Sequence, residues 1–168
     1  MTISQHRQRG LGTFIEAVSA MIARIGHAVA PPVLRIALAL PFFRSGFTRW
    51  DGFLSISAGT QFLFKEQFKL HILGGEYPFP APDITAFIVA IAEIALPLLL
   101  LAGLATRFTA TALLIMTGVI QLTFPDGWAN FHLYWASIAL AIMALGAGPM
   151  SLDCLIAKLW HRADSTLS

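Results

Sequence analysis

The chain has 168 residues, 57% of them hydrophobic and 12% charged, where soluble domains average about 45–50% and about 25%. Its length fits one domain, and a mean hydropathy of +0.72 exceeds what one small core can bury, so an ordinary soluble fold is excluded. The net charge of +2 comes without a basic run interleaved with aromatics, so nucleic acid is not an expected partner.

Leu11, Phe14, Ile15, Val18, Ile22, Ile25 and Val29 recur at three- and four-residue steps, the period of a helix face. Thr13, Glu16, Ser19 and Arg24 fall elsewhere on the wheel. That segment carries too many polar groups to span; it suits the membrane interface or packing against the end of a bundle. Ala28-Val29-Ala30 mimics a signal-peptidase site, but Glu16 and Arg24 interrupt the stretch before it, so no cleaved signal is expected. Pro31-Pro32 is expected to end this helix and start the next.

A first span is expected from Val33 to about Trp50, interrupted by Arg35, Pro41, Arg44 and Arg49. Phe53 to Lys69 reads as an amphipathic connecting helix, with Phe62, Phe64 and Phe68 set among Lys65, Glu66 and Lys69. Gly74-Gly75 and Pro78, Pro80 and Pro82 predict a stiff non-helical loop. The second span, Ile84 to Ala105, holds one charge, Glu93, and is long enough for a hydrocarbon core of roughly 30 Å. Thr106-Arg107 is the expected turn into a third span, Phe108 to Phe124, and Pro125-Asp126-Gly127 the loop into a fourth, Asn130 to about Leu145. Gly146, Gly148 and Pro149 close it, and Ser151 caps a short amphipathic helix through Leu152, Leu155, Ile156, Leu159 and Trp160.

The expected fold is therefore all-α: a transmembrane four-helix bundle with an N-terminal amphipathic interfacial helix and a short C-terminal amphipathic helix. Its parts are an N-terminal basic segment and amphipathic helix (1–30), a four-span membrane domain (31–160) and a polar tail (161–168). Arg7, Arg9, Arg24, Arg107, Lys158 and Arg162 fall on one side, against Arg49, Lys65 and Lys69 on the other. Positive residues favour the cytoplasm, so both termini are expected inside. Trp50, Trp128 and Trp160 at span ends read as interfacial anchors.

Ionisable groups inside a span are costly and face a partner or a wet cavity. Glu93 falls roughly 13 Å and Arg44 roughly 9 Å below the outer span ends at 1.5 Å per residue, so an ion pair between them is expected. Arg35, near the cytoplasmic end, is expected to snorkel. Pro97 has no N–H to give the Glu93 carbonyl four residues earlier, which leaves an acceptor free for a polar ligand, a water or a cross-helix donor. Gln121, Asn130, His132 and Trp135 lie toward the outer ends of the last two spans, and with Arg44 and Glu93 they could line one outward-facing polar pocket. A histidine beside a carboxylate can pass protons, as quinone chemistry requires. The bland alternatives are a kink fixed by an ion pair and an interfacial histidine. The single cysteine, Cys154, allows no internal disulfide, CxxC pair or cysteine-built zinc site. No metal-ligand spacing, phosphate loop or nucleophile context is present, so no catalytic residue and no intrinsic cofactor is assigned. Any electron chemistry would have to use a partner or a bound cofactor, for which a quinone is one candidate.

Arg35 with Ser45-Gly46, then Glu93, Pro97, Gly103 and Thr106-Arg107, then His132 and Trp135, and Gly146-Ala147-Gly148-Pro149-Met150-Ser151-Leu152-Asp153 carry a resemblance. In their order and spacing the chain resembles the DoxX family of small four-span bacterial membrane proteins, over about Val33 to Leu159. The family motif residues on this reading are Arg35, Gly46, Pro97, Gly103, Arg107, Gly148, Pro149 and Asp153. Family members usually carry a lysine shortly after the span-one glycine; this chain has Phe47-Thr48-Arg49-Trp50, and Arg49 is the candidate to replace that charge. The resemblance implies a bacterial inner-membrane protein that works as a membrane partner in quinone-linked redox or sulfur-stress systems. Membrane lipids and a protein partner or a second copy are the implied contacts. A non-catalytic scaffold and a small-solute transporter are the rival functions.

Overall fold

A computed structural model describes the backbone of residues 3–165 and the side chains of 13–160 and 162. The side chains of Arg7, Arg9 and His161, and the end of the polar tail, lie outside the described residues.

Helix α1 runs without a break over Ile3–Phe47, with Pro31, Pro32 and Pro41 inside it. The break expected at Pro31-Pro32 does not occur. Each proline removes one N–H, leaving the carbonyls of His27, Ala28 and Ala37 without their usual donors, a loss that apolar membrane helices tolerate with local adjustment. At roughly 1.5 Å per residue its 45 residues make a rod about 68 Å long. The stripe Phe14, Ile15, Ile22, Ile25 and Val29 stays exposed instead of packing back on the other helices.

The connecting helix expected over Phe53–Lys69 is also different. Gly52 and Leu54 take positive φ, Trp50 bridges Ile56, and only α2, Ala58–Phe62, is α-helical, N-capped by the Ser57 hydroxyl. A π-turn follows at Leu63–Gln67. The chain then forms a hairpin, β1 Lys69–Ile72 and β2 Gly75–Pro78, so the fold is mostly rather than wholly helical. Leu73 and Gly74 connect the strands with φ of 51° and 82°, the pair of positive values a type I′ turn needs.

Helix α3 covers Pro82–Ala102, with proline at its start, where a missing N–H costs nothing. Gly103 ends it in the left-handed region, its N–H on Leu100 O and that of Leu104 on Leu99 O, which is a Schellman cap. Helix α4, Thr106–Thr123, follows at once. A 3-10 turn at Pro125–Gly127 and a π-turn at Trp128–His132 lead into α5, Leu133–Leu145. Helix α6 is Leu152–Ser165.

Helix α1 packs on α3 and α5, and α4 packs on the same two. Leu38, Ala39, Phe42, Leu100, Ala110, Leu113, Ala139 and Ile142 form the core between them; its alanines allow the close backbone approach typical of membrane helices. Ile84, Ile88, Leu98, Phe108, Ile115 and Leu140 point outward and exposed, so the outside is as apolar as the inside. Among the described residues three helices are long and apolar enough to cross a membrane: Thr13–Phe47, Pro82–Ala102 and Pro125–Leu145. The hairpin and residues 48–68 lie at one end of this assembly. The α3–α4 turn and the start of α6 lie at the other.

Candidate functional site

At the hairpin end, α1 stops in a turn held by Thr48 Oγ1 on Ser45 O at 2.8 Å and by Arg49 N on Gly46 O at 3.2 Å. The turn brings Arg49 back toward α3, where its guanidinium meets the Glu93 carboxylate with both nitrogens, Nη2 donating to Oε1 at 2.8 Å and Nε to Oε2. Glu93 is 1% exposed. The Phe64 ring lies 5.4 Å from the guanidinium carbon, a cation–π contact. Gly46 makes the approach possible: a Cβ there would stand 2.9 Å from Ile94 Cγ1 and 3.0 Å from the Glu93 carbonyl oxygen. That carbonyl is the one Pro97 deprives of its donor, so the glycine backbone closes over it.

Arg44 is not the partner of Glu93. It is exposed, because five residues along a helix turn it about 140° from the position Arg49 would occupy. The sequence places Arg49 at the outer end of the first span among the outer-side charges; the position of the family's usual lysine is the signal that points to it as the partner.

The second polar pair joins α4 to the π-turn before α5. His132, 4% exposed, has Nδ1 2.6 Å from Gln121 Oε1, and its ring leans on Trp135 with centroids 5.4 Å apart. Trp135 in turn meets Phe42 of α1 at 5.3 Å. Asn130 is exposed and takes no part. The six residues expected in one polar pocket thus separate into the Glu93 pair, the Gln121–His132–Trp135 cluster, and two exposed side chains.

Aromatic rings roof this end. Phe64 touches Phe68 and Phe79, and Phe68 touches Phe124 at the end of α4. The hairpin is fastened to the same helix end by His71 Nδ1, which donates to Leu122 O at 3.1 Å. Beside the Glu93 pair an apolar crevice of about 430 Å³ opens between Trp50, Phe53 and Leu54 on one wall and Ile91, Ile94 and Leu98 of α3 on the other.

The remaining motif residues gather at the opposite end. Arg35 does not snorkel; it is 3% exposed and donates to Met150 O at 2.6 Å and Leu101 O at 3.5 Å. Asp153 reaches from the start of α6 to the start of α4, accepting from Ala105 N at 2.7 Å and Thr106 N at 2.9 Å. Burial pushes its carboxyl upward, but the Thr106 and Ala105 amides and the Arg35 charge outweigh that and hold it below the usual carboxylate range. Ser151 caps α6 by accepting from Cys154 N at 3.1 Å. Gly148, at φ of 73°, lies against Pro31, where a Cβ would come within 2.6 Å of the proline Cβ. Gly146 faces the Arg107 guanidinium. These contacts tie α1, the α3–α4 turn and α6 together, which is a structural task. Among the described residues no group of His, Cys, Asp and Glu is placed to hold a metal ion.

Residues 30–126 match the DoxX family model. A relative from Haemophilus influenzae, described as an uncharacterized protein, is 30% identical over 148 residues, covering 81% of this chain and 89% of its own. No solved structure matches the chain.

Proposed function

The chain belongs to the DoxX family, and on that premise we propose that it is a four-span inner-membrane protein serving as the membrane partner of a quinone-linked redox system. Membership and the apolar helices make it an integral membrane protein. Helix α4 is the proposed further crossing. It starts just after α3 ends and finishes just before the turns into α5, and its 18 residues measure about 27 Å, close to a hydrocarbon core of about 30 Å. With Arg49 buried against Glu93 and Lys65 paired with Asp83 at 2.8 Å, the other lysine and arginine residues at the hairpin end are Arg44 and Lys69. Arg24, Arg107, Lys158 and Arg162 belong to the other end, which supports cytoplasmic termini.

The observation that carries the redox reading is the pair of buried polar contacts, Arg49–Glu93 and Gln121–His132, both at the hairpin end of the helices. Groups so placed usually mark a substrate or proton path. A quinol gives up two protons with its two electrons; His132 can take one proton, and the second proton goes to water and both electrons to an oxidising redox partner protein. The domains we propose are an N-terminal helical segment to residue 30, the membrane domain to 160 and a short tail. The second reading, a non-catalytic scaffold that anchors a partner or a second copy, draws on the exposed apolar stripe of α1.

The test is titration of the detergent-purified protein with a short-chain ubiquinone analogue, oxidised and reduced, followed by tryptophan quenching, with Trp135 as the reporter nearest His132. Saturable quenching by at least one form is expected, weakened about ten-fold in His132→Ala by loss of one hydrogen bond and unchanged in Arg44→Ala. No saturable quenching by either form, or an unaffected His132→Ala, contradicts the redox reading.

A further inference from the structure

The Gln121–His132 contact fixes where the imidazole proton sits. Gln121 Nε2 lies 2.9 Å from Pro125 O. A backbone carbonyl only accepts, so the nitrogen of the amide must face it and the oxygen must face His132. Oε1 also only accepts, at 2.6 Å from His132 Nδ1, so Nδ1 carries the hydrogen. In the neutral ring Nε2 then holds the lone pair. That tautomer is the reverse of the one a neutral histidine side chain prefers in water. Nε2 has no protein hydrogen-bond partner among the described residues.

Gly127 adds a second observation. Its φ of −75° and ψ of −6° are open to any residue, so the backbone does not require glycine there. The ring does: a Cβ at 127 would lie 2.5 Å from His132 Cε1 and 2.9 Å from Nε2. The π-turn Trp128–His132, closed by Leu133 N on Trp128 O, swings the ring into this place, and such turns recur at functional sites.

We propose that Gln121 is a positioning residue that holds His132 as its Nδ1–H tautomer and reserves Nε2 as an acceptor for the hydroxyl of a membrane-soluble hydroquinone. This rests on the quinone reading above and adds a preference between redox forms. A hydroquinone hydroxyl donates to a lone pair; a quinone carbonyl, itself an acceptor, meets lone pair with lone pair. The site takes the reduced form, which a quinone-reducing reaction elsewhere in the membrane must supply.

The experiment uses the full chain in detergent micelles with ¹⁵N-labelled histidine, at about pH 8, where an ordinary histidine with a pKa of about 6.5 is neutral. His132 is expected to show a protonated-type Nδ1 and a lone-pair-type Nε2, assigned by comparison with His132→Ala. The reduced analogue should bind about ten-fold more tightly than the oxidised one, the worth of one hydrogen bond. Gln121→Leu should free the ring to take the other tautomer and bring the two affinities together. A wild-type spectrum with the hydrogen on Nε2 overturns the proposal whatever the variants do, and so does equal or tighter binding of the oxidised form. Failure of both forms to bind is the separate outcome that removes the quinone reading itself, while the tautomer is still read from the spectrum.

Discussion

Arg49→Ala is expected to be the most destabilising single charge removal in the chain. It strands a carboxylate that is 1% exposed and that otherwise has a two-pronged partner in the guanidinium. Breaking one side of a buried pair costs about 3–5 kcal/mol, because the charge left behind is neither solvated nor neutralised. The same argument predicts recovery: in Arg49→Leu/Glu93→Leu no charge is left unpaired, and replacing a buried pair by apolar residues is often neutral or stabilising. Arg44→Ala is the control. Its side chain is exposed, and such surface changes stay within about 0.5 kcal/mol. Unfolding in mixed micelles with increasing SDS reads all three variants. A larger loss for Arg44→Ala than for Arg49→Ala would return Glu93 to the partner that helix spacing alone suggests.

The second large effect belongs to Gly103→Ala. Gly103 has φ of 68°, a conformation that costs an L-residue about 1–2 kcal/mol. A Cβ there would also collide with Arg35 Nη1 and stand 2.6 Å from Ser151 Cβ, and crowding of this kind costs about 1–3 kcal/mol. The sum, about 3 kcal/mol, falls on the junction where Arg35 and Asp153 hold α1, α4 and α6 together. Gly118→Ala gives the opposite sign in the same assay. Nothing lies within 4 Å of a Cβ at Gly118, and replacing an open mid-helix glycine gains about 0.5–1 kcal/mol. Equal effects at the two glycines would show that the Gly103 junction is slack.

The helices α3, α4 and α5 were legible because hydropathy and turn residues carry them: Pro82, Gly103, Pro125 and Gly146 each stand at or beside an end. The motif at the end holding Asp153 was legible as a set of residues, though not as a junction, because its glycines serve contacts between segments far apart in sequence. The prolines of α1 misled, since proline breaks a helix through one lost donor, and a rod held elsewhere absorbs that loss. The hairpin was hidden by its own turn: Leu73 occupies a left-handed position that the sequence signals only through Gly74. The Arg49–Glu93 pair was missed for a third reason. The expected span ran on to about Trp50 with Arg49 counted among the outer-side charges, whereas the helix stops at Phe47 and the turn through Ser45, Gly46 and Thr48 folds Arg49 back onto α3. His132 was visible as a candidate, but its bond to Gln121 depends on a π-turn that no periodicity announces.

The claim on which all of this rests is that the hairpin end and the α6 end face opposite sides of a membrane with α4 crossing between them. Single cysteines at exposed positions in a Cys154→Ala background test it directly: Leu73→Cys at the hairpin tip, Asp126→Cys after α4, and Lys158→Cys in α6. With an impermeant thiol reagent on intact cells, Leu73→Cys and Asp126→Cys should label at once and Lys158→Cys only after lysis. Labelling of Asp126→Cys and Lys158→Cys from the same side would contradict the crossing, and the reverse order would contradict cytoplasmic termini.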